Sequence, residues 1–380
     1  MAFPKFDSAA FLRDYWQRKP LLIRNPWGTW SNPLEPDELA GLACENGVES
    51  RLIEGTADKL SVEHGPIRAK RFSTLGAVPW TLLVQAVDQH VPQVADLIEP
   101  FRFLPNWRID DVMVSYATDG GGVGPHFDQY DVFLIQGLGK RRWRVGPLCD
   151  ATTPQQPHED LCLLAGFESE QEWVLEPGDV LYLPPRIAHD GVAIGDDCMT
   201  YSVGFRAPSR ADLIAMWCDQ ALADLAEDDR YGDAGLIAPQ GNPGEISSEA
   251  LDRLHAMVTE RLQDRQAFAR AFGAYATTPR YPDVDWSPGR PITRKRLQAA
   301  SASGATLSRN PASRFSYVDQ AEGTVLLFID GECHECHGMV ADFARDLCAA
   351  PSLPLPSDLT DPVLELVLAL CNQGSLALES

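Results

Sequence analysis

At 380 residues the chain is too long for one ordinary domain and suggests two or three. Hydrophobic residues at 44 % and charged residues at 23 % describe a soluble globular protein. The net charge of −22 argues against binding nucleic acid through its phosphates and suits a basic protein partner. Nine scattered cysteines make no even disulfide framework. The start, MAFPKFDSAAFLRDYW, has no charged segment followed by an apolar run, and no stretch approaches the roughly 20 apolar residues of a membrane span. The expectation is therefore a cytoplasmic protein with no membrane contact.

In chain order, Ser8 is placed to cap a short helix, AAFLRDYWQRK, which Pro20 ends. LLIRN (21–25) reads as a strand, PDELAGLACENG as a second helix from Pro36, and SRLIEG (50–55) as another strand. Within 73–99, the apolar run of Leu82, Leu83, Val84, Ala86 and Val87 suits a buried helix. From Asp110 the texture becomes short strands: 110–117, 131–138, 140–146, 171–175, 179–185, 190–194 and 198–205. Turns fall at Glu176-Pro177-Gly178-Asp179 and Gly195-Asp196-Asp197, the pattern of an antiparallel sandwich or barrel.

After Pro208 the pattern turns helical, through 209–229 and again from Ser247 or Ser248, a packing or dimerisation block. Residues 277–291 read as a linker, and the last ninety residues as a small α+β domain of winged-helix layout. The expected domains are 1–208, 209–278 and 279–380.

The chemistry gathers in GGGVGPHFDQYDVFLIQGLGKRRWRV, from Gly120 to Val145. On a strand, residues two apart point the same way, so His126 and Asp128 can reach one ion. Two imidazoles and a carboxylate form a ferrous site with open positions. His189, at the end of PGDVLYLPPRIAH, is the candidate third ligand. His64 and His90 precede the barrel, His158 lies in a Pro/Gln-rich loop, His255 lies on a helix, and His334 and His337 belong to the last domain. In KRRWRVG, alternation puts Lys140, Arg142 and Arg144 on one face and Arg141, Trp143 and Val145 on the other. Trp and Val mark the inner face, so Arg141 points inward and calls for an anion. A dicarboxylate held by bidentate hydrogen bonds answers that need, and an internal acid is the alternative. Ser115 and Ser202 are further hydroxyl donors, or strand packing.

GGVGPHFDQYDVFLIQG, GKRRWRVG, LEPGDVLYLPPRIAHDGVA and YSVGFRAP, with FLRDYWQRKPLLIRN near the start, closely resemble the JmjC-type 2-oxoglutarate oxygenases that hydroxylate ribosomal proteins. The resemblance is strongest to the bacterial branch acting on an arginine of large-subunit ribosomal protein number sixteen. It covers most of residues 1–210; beyond that only the layout matches. It implies an α+β fold: a double-stranded β-helix (jelly-roll, cupin/JmjC) core, a helical dimerisation region and a C-terminal winged-helix-like domain. It implies Fe(II) on His126, Asp128 and His189, 2-oxoglutarate on Arg141, O2 as co-reactant, and release of succinate and CO2. Lys140 is the neighbour that many members of the wider superfamily use instead. A cationic substrate side chain would want acids at the mouth, for which Asp119 and Asp131 are candidates unless they cap turns.

Two other functions are weighed against this one. The related alternative is a histidyl hydroxylase or protein demethylase. The alternative of another class is a non-catalytic peptide- or DNA-binding protein, which the complete triad, the inward Arg141 and the net charge of −22 disfavour. Near the end, Cys333, Cys336 and His337 spell the C-x-x-C-H pattern of haem attachment, or part of a zinc site with badly spaced Cys348 and Cys371. Hairpin-edge residues with free thiols are the simpler reading.

Overall fold

The computed structural model describes every residue except 1, 2, 5, 57, 58, 224, 236–240, 358 and 380. The chain divides into two compact units, 1–207 and 208–380. No helix among the described residues is long and apolar enough to cross a membrane.

The first unit is a nine-stranded antiparallel sheet. Its strands are β1 (Leu21–Ile23), β2 (Ser50–Thr56), β3 (Lys59–His64), β4 (Trp80–Val84), β5 (Ile109–Ala117), β6 (Asp131–Leu148), β7 (Gln171–Leu175), β8 (Val180–Leu183) and β9 (Ile187–Phe205). Their order is β1-β8-β6-β9-β5-β4-β2-β3, with β7 paired to β6. It is a jelly roll of the cupin kind, as the resemblance implied. The predicted strands 131–138 and 140–146 are one continuous strand, β6, and 190–194 and 198–205 merge into β9.

β6 has a change of phase that decides everything inside. Near its start, Val132 and Leu134 share a buried cluster with Leu181 and Leu183; near its end, Trp143 and Val145 join that same cluster. The inner face thus passes from even to odd positions. Phe133 and Ile135 face the other way, into a larger cluster with Phe11, Leu97 and Phe101. The register with β9 shifts between Gln136 and Leu138 and again between Leu138 and Lys140. Such irregularities turn side chains to the opposite face. Gln136 fills the gap: its Nε2 donates to the carbonyls of Leu138 at 2.7 Å and Met199 at 3.2 Å, and its Oε1 accepts from Thr200.

The N-terminal segment seals the outer face. Helix α1 (Ser8–Asp14) lays Phe11 against Phe133 and Tyr182, at 5.5 and 4.9 Å between ring centroids. Its cap is Asp7, whose carboxylate accepts from Ala10 N at 2.9 Å, so the expected cap at Ser8 is one residue late. Helix α2 (Pro36–Leu42) buries Leu39. α3 (Ala69–Phe72) and α4 (Pro92–Ala95) are single turns. The Glu176–Asp179 turn is tied to β1 through Asp179, which accepts from Arg24 at 2.5 Å and Asn25 N at 3.1 Å.

The helix expected around Leu82–Val87 is instead β4, paired with β2 and β5, followed by a left-handed Ala86 and one 3-10 turn. Thr81 to Val84 are buried on both faces of the sheet. A short, fully buried apolar run has no alternation by which to tell strand from helix.

The second unit begins with α5 (Arg210–Ala223), α6 (Ser248–Leu262, capped by Ser247) and α7 (Arg265–Thr277). There follow α8 (Arg294–Ser303), β10 (Thr306–Arg309), the meander β11 (Phe315–Asp319), β12 (Val325–Ile329) and β13 (Glu332–Cys336), then α9 (Met339–Ala349), β14 (Ser352–Pro354), α10 (Asp361–Asn372) and β15 (Leu376–Glu379). β10 pairs with β14 and β15. Its core gathers Leu297, Leu307, Leu327, Phe343, Leu347 and Val367. Helix α7 lies on this meander: a Cβ at Gly273 would stand 2.3 Å from the Phe328 ring.

Cys333 and Cys336 lie on β13, one exposed and one buried. Burial pushes both thiols up, away from the thiolate that metal or haem chemistry needs. All nine cysteines are free.

Candidate metal and anion site

His126 and Asp128 do not sit on a regular strand, contrary to the sequence reading. Backbone bonds place them instead. His126 N donates to His189 O at 3.0 Å and His189 N donates to His126 O at 2.8 Å, an isolated bridge to the start of β9. Two residues on, Asp128 O accepts from Arg186 N at 2.6 Å. The Gly-rich loop is thereby stitched to one end of β9, and the three side chains converge. Their ligand atoms all lie within 4.8 Å of one another, and this is the one group of its kind among the described residues.

Each imidazole is set by its other nitrogen. His126 Nδ1 donates to Gly124 O at 2.9 Å, and His189 Nδ1 donates to Ile187 O at 2.9 Å. Both Nε2 atoms are left as ligating nitrogens, the usual outer hydrogen bond of a metal-bound histidine. Gly124 reaches its position at φ +82°, where a side chain is strained. Burial, and then the neighbouring His126, hold His189 well below the ordinary histidine range. The imidazole is neutral at pH 7, the form that binds a metal. The 3.6 Å approach of His189 Nε2 to Asp128 Oδ2 is thus not an ion pair but the spacing of two ligands facing a shared centre. Two imidazoles and one carboxylate fit ferrous iron with open positions for small ligands.

Arg141 stands on the inner face, as alternation predicted, and is 4 % exposed. Its Nη1 donates to Gly191 O at 3.3 Å. Its Nε and Nη2 are buried with no hydrogen-bond partner among the described residues. The alternative of an internal acid is not what is seen. A buried cation with two idle donors fits a bound anion, because desolvating it without one costs several kcal/mol, on the order of the penalties for buried ions. Trp143 neighbours both centres: its ring is 5.9 Å from Arg141 Cζ and 5.9 Å from the His189 ring. The close fit requires Gly191, where a Cβ would stand 2.6 Å from the Trp143 ring. On the opposite face, Lys140 pairs with Glu176 at 2.6 Å and Arg144 with Asp190 at 2.5 Å.

The remaining candidates separate. Ser202 is in register with Leu134 and so lies on the inner face; Ser115 faces the same way and its hydroxyl donates to Thr200 O at 3.5 Å. Asp119 is exposed in the Gly-rich loop and accepts from Gly195 N at 2.7 Å, binding that loop to the β9 turn.

Asp131 is not at the mouth. It is fully buried on the outer side of the phase change and accepts from Tyr182 Oη at 2.6 Å, Gln17 Nε2 at 3.0 Å and Arg108 Nη2 at 3.0 Å. Its assignment to substrate is corrected by the same parity that sends Phe133 outward. Sequence reading also passed over Trp143 as an apolar marker, although it shares a face with Arg141.

Comparison with known proteins adds an independent line. A family model described as a JmjC domain matches residues 96–213, and one described as a ROXA-like winged helix matches residues 260–377. The chain is similar to the ribosomal protein uL16 3-hydroxylase of Escherichia coli (strain K12), with 41 % identity over 281 residues, 74 % of each chain. It is similar to a probable ribosomal oxygenase of Haemophilus influenzae, with 38 % identity over 268 residues, 69 % of this chain and 66 % of that one. Among solved structures, E. coli ycfD superposes with a TM-score of 0.90 at 34 % identity, over 100 % of both chains. The complex of the ribosomal oxygenase YcfD with cobalt and 2-oxoglutarate does so with a TM-score of 0.86 at 35 % identity, over 99 % of both.

The structure makes a sharp distinction for Asp131. Replacing it with Ala strands the Arg108 guanidinium and should lower unfolding stability by about 3–5 kcal/mol, measured by urea denaturation. An unchanged stability with a raised KM for a protein substrate would return Asp131 to the substrate site.

Proposed function

The chain belongs to the JmjC-domain ribosomal oxygenases, which use iron and 2-oxoglutarate, and we propose that it hydroxylates an arginine side chain of the large-subunit ribosomal protein uL16. The observation that carries the reading is the pairing, inside one barrel, of the His126–Asp128–His189 cluster with the two idle donors of Arg141. The E. coli relative, a ribosomal protein uL16 3-hydroxylase, supplies the target.

Iron held by His126, Asp128 and His189 would supply the redox chemistry that couples reduction of O2 to oxidative decarboxylation of 2-oxoglutarate, with succinate, CO2 and the hydroxylated side chain as products. The protein's own work is placement. Neutral His189, with His126 and Asp128, holds the metal at the end of β9. Arg141 binds the cosubstrate carboxylate remote from the metal through Nε and Nη2, while Nη1 stays fixed to Gly191 O. Val132, Leu134, Trp143 and Val145 line the interior and exclude water, which keeps the guanidinium's pull on the anion strong. Ser115 and Ser202 on the same face are secondary hydroxyl contacts. Asp119, exposed on the loop that carries His126, is the acid offered to a cationic substrate. The net charge of −22 favours encounter with a basic ribosomal protein. The expected setting is the cytoplasm, where such a substrate is made.

The helical region 209–278 serves as a homodimer interface in this reading. Leu251, Leu254, Val258 and Leu262 form an i, i+3, i+7, i+11 stripe on α6 that is exposed, and Ile214 and Leu222 on α5 are exposed too. Apolar side chains this numerous on a surface mark a contact site.

Incubation with Fe(II), 2-oxoglutarate, O2 and uL16 should add the mass of one oxygen atom to an arginine, read by tandem mass spectrometry, and His126→Ala should abolish it. The added oxygen on a histidine would move the assignment to the histidyl hydroxylases. For assembly, Leu251→Asp with Val258→Asp should convert a dimer to a monomer in light scattering; an unchanged mass would remove α6 from the interface.

A further inference from the structure

We propose that Trp143 is a second anchor for the cosubstrate: its indole Nε1–H donates to the same carboxylate that Arg141 binds. The proposal rests on the oxygenase reading and adds a residue to it.

Trp143 follows Arg141 by two positions on β6, so strand alternation points both into the barrel. Trp143 is 6 % exposed, and its Nε1 is buried with no hydrogen-bond partner among the described residues. Buried tryptophan N–H groups normally find an acceptor. The indole is pinned: Gly191 lies against its six-membered ring and Trp173 of β7 stands opposite it in register. A fixed ring holds a fixed donor. Two residues, side by side, thus carry three idle N–H groups: Nε and Nη2 of Arg141 and Nε1 of Trp143. A carboxylate has two oxygens and about four lone-pair positions, enough to take all three. One anion therefore satisfies every unpaired donor on this part of the inner wall. The ligand class is a dicarboxylate, whose second carboxylate end extends toward the His126–Asp128–His189 group; the His189 ring lies 5.9 Å from the indole between ring centroids.

The test uses the full chain loaded with Zn(II), a diamagnetic stand-in, and reads binding rather than turnover. Succinate and 2-oxoglutarate are titrated calorimetrically into wild type, Trp143→Phe and the control Trp286→Phe, an exposed tryptophan of the second unit. Trp143→Phe keeps an aromatic ring and removes the donor. Its dissociation constants for both anions should rise about tenfold, the loss of one charge-assisted hydrogen bond, with metal affinity unchanged. Trp286→Phe should bind as wild type. In parallel, one of the nine indole N–H resonances of the wild-type protein should move downfield when succinate is added. That resonance should be missing in Trp143→Phe. If Trp143→Phe does not fold, the wild-type spectrum decides alone. Unchanged dissociation constants, or nine unmoved indole resonances in protein that binds the anion, overturn the role of Trp143 and leave the oxygenase reading standing. Wild-type protein that binds neither anion overturns both.

Discussion

The structure depends on one buried cation. Arg141 carries a positive charge into the barrel and spends only one of its nitrogens on the protein. A guanidinium stripped of water is tolerated where a counter-charge is due, and the proposed counter-charge here is the carboxylate of the cosubstrate. The fold can be understood as the apparatus that puts this group, rather than Lys140 or Arg142, on the inside. Two irregularities in β6 reverse its phase, and Gln136 fills the space they open. Without that reversal, the pairing that points Val132 and Leu134 inward would send Arg141 out.

The metal cluster depends on a different economy. Only His189 belongs to a regular strand; His126 and Asp128 come from a loop held to β9 by backbone hydrogen bonds of Gly120, Gly121 and His126, and by Asp128 to Arg186 just before it. Backbone bonds join the chain at His126 and His189, the carbonyls of Gly124 and Ile187 orient the two imidazoles, and the imidazoles define where an ion would sit. Loops usually supply reactive groups at the expense of rigidity. This one is tied to the sheet beside it, with Asp119 binding its first turn to the turn of β9. Metal and anion positions are then linked through β9: His189 is a ligand, and two residues later Gly191 both receives Arg141 and makes room for Trp143.

Much of this was legible from residues alone. The inward Arg141 follows from alternation, because a strand with one buried face cannot hide its period; His126, Asp128 and His189 follow from residue type and order, although the first two lie on a bridged loop and not on the strand expected for them. What alternation could not give was continuity. Alternation predicts separate strands at 131–138 and 140–146 and carries no sign of the parity reversal inside β6, which puts Asp131 beneath Tyr182 and not at the mouth. The run at Leu82–Val84 is buried on both faces and has no period to read. The packing of α7 on Phe328 left only Gly273 as its sign, and a lone glycine in a helix has many causes. Trp143 was visible but took the meaning of its neighbours: as a large apolar residue it marked the inside, and its one polar atom was overlooked.

The central claim is that metal cluster and Arg141 form one site for one small molecule. Calorimetric titration of 2-oxoglutarate into the cobalt-loaded chain, the metal-free chain and the cobalt-loaded Arg141→Ala variant tests it directly. The account predicts one anion per chain, bound more weakly when either the metal or the guanidinium is removed, since both hold the same molecule. Affinity that ignores either change would place the anion elsewhere and contradict the account.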